Sequence, residues 1–144
     1  YVRGKWKLLP GDGKSSGNYV YVEDVVDGHL LAMKKGRDRE RYVLGGENIS
    51  YLELFGITRD ISGKTYPLYK IPLWLMLSVA GIMKTITLLS GKPPLIVPGL
   101  VRKFNHQWIV SSEKAAKELA YSPMGTREGI ALTIQWLNRN ETST

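Results

Sequence analysis

Tyr19-Val20-Tyr21-Val22-Glu23-Asp24-Val25-Val26-Asp27-Gly28-His29-Leu30-Leu31-Ala32-Met33 changes its hydrophobic period halfway along. Tyr19 to Val22 is a β-branched and aromatic run of strand length. From Val25 the apolar residues return at helical spacing. Asp24 sits where a helix N-cap belongs, and Lys34, Lys35 and Gly36 supply a basic last turn and a terminator. The reading is a strand over 19–22 followed by a helix over about 24–35.

Working outward, Pro10, Gly11 and Gly13 break the pattern before this unit, so residues 1–16 read as a loop or short hairpin. After it, Arg41-Tyr42-Val43-Leu44 is a second short strand closed by Gly45-Gly46, and strand, helix, strand suggests a βαβ unit. Ser50-Tyr51-Leu52-Glu53 fits a capping box, which starts a helix that should run to Ser62 before Gly63. Tyr66 to Pro72 holds two prolines and should be extended.

Leu73 to Leu89 is strongly apolar but interrupted by Ser78, Lys84, Thr85 and Thr87. It reads as a buried helix, being short and polar for a membrane span of about 20 residues. Gly91 to Pro94 should turn, and Leu95 to Phe104 should form a further helix. Gln107 to Val110 reads as a short strand. Ser111 or Ser112 should cap a helix through Leu119, and Thr126 a last one from Arg127 to about Arg139, with residues 142–144 frayed.

The 144 residues suit one domain. The chain begins with Tyr1 and shows no basic-then-apolar leader, so it reads as a fragment of something longer rather than a secretory precursor. Without cysteine there is no disulfide framework, thiolate metal site or cysteine nucleophile, and the composition suits the cytoplasm. His29 and His106 are far apart with no matching carboxylate spacing, so no metal site is expected. A net charge of +7 permits attraction to phosphates, but the basic residues are dispersed, as on a solvated face.

Several motifs imitate chemistry. Gly13-Lys14-Ser15 and Gly63-Lys64-Thr65 look like the end of a phosphate loop. The glycine required five positions before Gly13 and Gly63 is Leu8 and Thr58 instead. Gly11, Gly13 and Gly17 imitate a dinucleotide fingerprint, yet they precede a strand instead of following one. Tyr1 with Lys5 and Tyr66 with Lys70 have the Tyr-x-x-x-Lys spacing by which an ammonium one helical turn away lowers a phenol's pKa. The first pair lies at the chain end beside Gly4, and the second contains Pro67. Glu23, Asp24 and Asp27 are expected in a first helical turn for capping and dipole reasons. Asn48-Ile49-Ser50 and Asn140-Glu141-Thr142 match glycosylation acceptors, which mean little without a secretory signal.

The stretch Tyr19–Met33 resembles a segment of the extended short-chain dehydrogenase/reductases that reads hydrophobic-V-(D/E)-D-V-(V/A). Arg41 to Ser50 resembles the strand and helix cap that follow it there. Ser112 to Pro123 is similar to the family's D-x-x-K-A-x-x-E-L-G-Y-x-P segment, with Ser112 for the usual Asp and Ala120 for the usual Gly. Thr126 to Leu137 resembles its closing helix. The family resembled is that of the NAD-dependent epimerase/dehydratases, with dihydroflavonol-reductase-like and hopanoid-associated sugar-epimerase-like members the nearest.

The resemblance implies an α-rich α/β fold: the C-terminal, substrate-binding part of such an enzyme, with few short strands and five or six helices and the Rossmann half absent. Residues 1–144 would form one substrate-side domain. In it 1–46 is a strand–helix–strand completing the edge of the cofactor domain's sheet, and 47–140 a helical lid. NAD or NADP would be held by the missing N-terminal Rossmann domain of the parent protein, with none bound to this chain alone. The glycine fingerprint, the catalytic Ser/Thr and the Tyr-x-x-x-Lys pair have no counterparts, so no catalytic or cofactor-binding residue is assigned.

By position, Arg3, Lys5, Trp74, Met76, Leu77 and Ala80 are the expected contacts of a small apolar or polycyclic substrate. Loss of the partner domain would expose apolar surface and favour self-association. Two other readings compete. One is a basic anion- or nucleic-acid-binding module, although no groove-reading motif is present. The other is a membrane-surface helical domain attached through residues 73–89.

Overall fold

The computed structural model describes residues 1–90, 101, 104 and 106–141. Its elements, in chain order, are β1 (Leu8–Pro10), β2 (Ser16–Tyr19), α1 (Val22–Lys35), β3 (Glu47–Ser50), α2 (Tyr51–Ser62), β4 (Tyr69–Ile71), α3 (Leu73–Ser90), α4 (Glu113–Leu119) and α5 (Thr126–Glu141). The α-rich α/β class expected from sequence is what is found. Five helices surround two small sheets among the described residues, β1 parallel to β4 and β2 antiparallel to β3.

The 19–22 strand is displaced. β2 ends at Tyr19, and α1 begins at Val22 with extended Tyr21 as its N-cap (φ −74°, ψ 144°) and no side-chain bond there. Asp24 is therefore no cap. Its Oδ2 accepts the amide of Met124 at 3.1 Å and ties the loop before α5 to α1. The second expected strand is also corrected. Residues 41–46 are irregular, and the strand lies at 47–50, so the pairing is an antiparallel ribbon rather than a parallel βαβ unit. Tyr42 and Leu44 instead pack on the cluster of Ala115, Leu119 and Tyr121, together with Leu31 and Ala32 of α1. A strand needs a neighbour for its amides, and side-chain packing alone leaves the backbone without one. The boundary expected at residue 46 is crossed by this ribbon, which pairs Ser16 with Ser50 and Tyr19 with Glu47.

The capping box at Ser50 forms as read. Ser50 Oγ accepts the Glu53 amide at 3.2 Å, and the Glu53 carboxylate accepts the Ser50 amide at 2.8 Å. The next orphan amides of α2 are met by the upstream turn, Tyr51 N–H by Ser15 O and Leu52 N–H by Gly13 O. The two phosphate-loop lookalikes thus have structural roles. Gly13 (φ +76°) lies over buried Leu9, where a Cβ would come within 2.7 Å of a Leu9 methyl, and Gly63 (φ +65°) closes α2 in the left-handed region.

Residues 107–110 are not a strand. They are laced to the ribbon by asparagine and glutamine side chains: Gln107 Oε1 accepts Ser16 N–H at 2.8 Å, and Trp108 N–H donates to Ser16 O at 2.9 Å. Asn48 closes both backbone groups of Val110, donating to its carbonyl at 2.9 Å and accepting from its amide at 3.0 Å. Its cross-strand partner Asn18 does the same for Gly46 at 3.0 Å each way, and donates to Asn48 Oδ1 at 2.9 Å. A second core cluster joins Met76, Ala80 and Val101 with Ile71 and Leu73. The expected turn at Gly91–Pro94, the 95–104 helix and the end at 142–144 lie outside the described residues.

Candidate functional site

Two of the cavities on the described surface bear on function. The smaller, about 370 Å³, lies where β2 hands over to α1, between α2 and α5. Its walls include Tyr19, Val20, Val22, Leu54, Thr126 and Ile130. α5 is brought there by two carboxylates, Asp24 through Met124 N–H and Glu47 Oε2 through Thr126 N–H at 2.9 Å. Glu47 thus answers one of the free amides at the start of α5 with a negative charge, which the helix dipole favours.

Thr126 itself is only 7% exposed, and its Oγ1 has no hydrogen-bond partner among the described residues. Tyr19 is pushed up from 10.0 to about 12, first by burial and then by the neighbouring Tyr51 hydroxyl. It therefore stays a neutral phenol throughout the physiological range. Apolar walls with four hydroxyl residues among them, Tyr19, Tyr21, Thr126 and Thr133, suit an uncharged group carrying a few hydrogen-bonding atoms. They offer no general base.

The larger cavity, about 540 Å³, lies between α2 and the segments leading into β1 and β4. Tyr1, Leu52, Phe55 and Tyr66 are among its walls, with Arg59 and Lys70. Tyr1 meets Phe55 and Tyr66 edge-on at 5.4 and 5.9 Å, and its hydroxyl donates to the carbonyls of Lys64 and Tyr66 at 3.2 and 3.3 Å. Neither Tyr-x-x-x-Lys spacing is helical: Tyr1 to Lys5 is a turn and Tyr66 to Lys70 runs extended into β4. One-turn stacking of ammonium beneath phenol is absent at both. No group of three or more His, Cys, Asp or Glu able to hold a metal occurs among the described residues.

The six residues named for substrate contact are not gathered together. Met76 (7% exposed) and Ala80 (0%) are core, whereas Trp74 (68%) and Leu77 (36%) face outward on α3. Arg3 and Lys5 are exposed near the chain start. None of the six lines either cavity. The walls of the smaller cavity were not singled out from sequence, because Tyr19–Val22 read as strand and Thr126 as cap. No helix among the described residues is long and apolar enough to cross a membrane.

Comparison with known proteins gives this architecture its class. Residues 1–45 match the model of the NAD dependent epimerase/dehydratase family. The chain is 28% identical over 138 residues to a putative dihydroflavonol 4-reductase of Synechocystis, covering 93% of this chain and 40% of that protein. It is 30% identical over 146 residues to 3beta-hydroxysteroid-dehydrogenase/decarboxylase isoform 1 of Arabidopsis thaliana, covering 91% and 33%. The crystal structure of a UDP-glucose 4-epimerase from Thermotoga maritima superposes with a TM-score of 0.66 at 28% identity, covering 96% of this chain and 37% of that one.

The fold is that of the short-chain dehydrogenases/reductases. Within that class the chain is similar to the extended short-chain dehydrogenases/reductases, as its motifs indicated, and its first 45 residues match the epimerase/dehydratase family. It spans between a third and two fifths of the length of these relatives.

Proposed function

We propose that the chain is the substrate-binding, C-terminal portion of an NAD(P)-dependent reductase or epimerase resembling dihydroflavonol 4-reductase, acting in the cytoplasm on a small apolar or polycyclic molecule. The observation that carries this reading is similarity spread over about nine tenths of the chain to proteins named as a dihydroflavonol reductase and a hydroxysteroid dehydrogenase. Both names describe oxidation or reduction at a ring carbon bearing oxygen. The apolar outward face of α3, with Trp74, Leu75 and Ile82 exposed, supports a ring-system substrate in the same sense. NAD or NADP would be held by residues outside this chain, and catalysis would lie there too, since neither Tyr-x-x-x-Lys spacing here is helical.

The test is the polypeptide encoded by the parent gene. It should bind NAD or NADP by calorimetry and oxidise or reduce hydroxysteroids or dihydroflavonols, whereas the 144-residue chain should do neither. Micromolar dinucleotide binding by the 144-residue chain alone would overturn this division of labour.

A further inference from the structure

The larger cavity, about 540 Å³, lies within the range of about 300–1,000 Å³ in which small-molecule sites fall. Three aromatic rings stand along it. Tyr1 meets Phe55 and Tyr66 edge-on, and its hydroxyl donates to the carbonyls of Lys64 and Tyr66, which fixes the ring in that corner. Rings set edge to face present both faces and edges against which a further flat ring can lie.

The charged part of the wall is cationic. Arg59 and Lys70 line the cavity, and no carboxylate does so among the described residues. Lys7 adds a further positive charge, with its Nζ 5.8 Å from the centre of the Tyr66 ring. Arg59 has an acidic neighbour in Asp60 at 3.9 Å, but Asp60 lies at the same distance from Arg127 of α5. Ion pairs that long between half-exposed side chains contribute little, so the guanidinium keeps its capacity to hold an anion.

The cavity is set apart from the apolar outward face of α3. Leu9 and Lys70 are partners across β1 and β4, and both face the cavity. Ile71, one residue on, packs instead on the cluster of Met76, Ala80 and Val101. Successive residues of a strand point to opposite sides, so the β1–β4 ribbon stands between the cavity and the core that α3 helps to build.

A neutral ring would leave the cations unanswered, and a small inorganic ion would leave the aromatic corner empty. We propose that this cavity is a second small-molecule site, separate from the α3 face, for a flat aromatic ring bearing one anionic group, a carboxylate or a phosphate. The ring lies against Tyr1, Phe55 and Tyr66, and the anion is held by Arg59 and Lys70.

Calorimetry on the chain acetylated at Tyr1 tests this without a contribution from the terminal ammonium. The probes are 2-naphthoate and 2-naphthyl phosphate, which separate the two anions. In the controls, 2-naphthylmethanol keeps the ring and acetate keeps the charge. At least one naphthyl anion should bind with a Kd of about 10–100 μM, and both controls about tenfold more weakly or worse. Arg59→Gln and Lys70→Gln, at exposed side chains, should leave Tm unchanged and weaken binding about fivefold each. Arg59→Lys should lose less than Arg59→Gln. Nuclear Overhauser contacts should join the bound naphthyl protons to the Phe55 ring.

Binding of the phosphate without the carboxylate, or the reverse, supports the site and assigns its anion. The proposal is overturned if neither anion binds at about 1 mM or if the neutral alcohol binds as tightly as the anions. It is equally overturned if both glutamine variants bind as the native chain does, or if the contacts fall on Trp74 of α3 instead of Phe55.

Discussion

Ala120 ends α4 in the left-handed region at φ 62°, where the Cβ of an L-residue crowds its own backbone. Relief of that crowding is worth roughly 1–2 kcal/mol. Glycine gives back about 0.4–1 kcal/mol through its freer unfolded chain, so Ala120→Gly should stabilise by roughly 0.5–1 kcal/mol. A Tm raised by roughly 2–4 °C is expected; a lowered Tm would show that the Ala120 methyl is needed for packing. The sequence showed the unusual residue at this position, but the conformation it adopts is read only from the backbone.

Tyr19 makes a second residue-scale prediction. A phenol whose pKa is raised by burial favours folding while it is neutral, so its contribution is complete below pH 10.0 and is lost as pH rises toward about 12. Alkaline titration followed by tyrosinate absorbance should show a late-ionising phenol, and Tyr19→Phe should remove it. A variant with the unchanged late phase would assign that phase to another tyrosine.

At the scale of the element, α2 shows what local chemistry can specify. Its start, its capping box and its glycine stop were all legible, because each depends on residues within four positions of one another. The Glu53 carboxyl is held below its usual 4.5 by the Ser50 amide and then by the Ser50 hydroxyl. A lowered carboxyl favours folding above its ordinary range and ceases to do so as pH falls below 4.5 through the lowered value. Ser50→Ala removes the hydroxyl that accepts the Glu53 amide and should cost about 1 kcal/mol at pH 7 as a lost helix cap. Thermal melts at pH 7 and pH 3 should show the variant losing less on acidification than the native chain; equal losses would remove the capping box from the acid response.

The strands were less legible for the opposite reason. β1 and β4 are each three residues long and pair across some sixty positions of chain, so nothing local announces them. β2 was placed three residues late, since Tyr19–Val22 has strand composition while the hydrogen bonds fall on Ser16–Tyr19. Composition reports what a strand prefers, and only the partner's position decides which residues are paired.

For the whole molecule, the class was legible because four ordered segments lie across nearly the entire chain, each weak alone. The candidate site was not. Met76 and Ala80 share the apolar character of pocket residues but fill a core, a distinction that periodicity cannot draw. Three of the basic residues are paired in place, which leaves the net surplus unchanged: Arg37 with Glu118, Lys114 with Glu40 and Lys117 with Glu113. The first two of these bridges hold the segment after α1 to α4, so charge here assembles the fold.

The lacing of residues 107–110 by Asn48 also sets how this molecule would age. Spontaneous deamidation would turn that side chain into a carboxylate, an acceptor facing the Val110 carbonyl that now receives its N–H. Asn48→Asp imitates the damaged form. Limited proteolysis should cut it faster near Trp108 than the native chain; an unchanged rate would mean that Gln107 and the Ser16 carbonyl hold the seam by themselves.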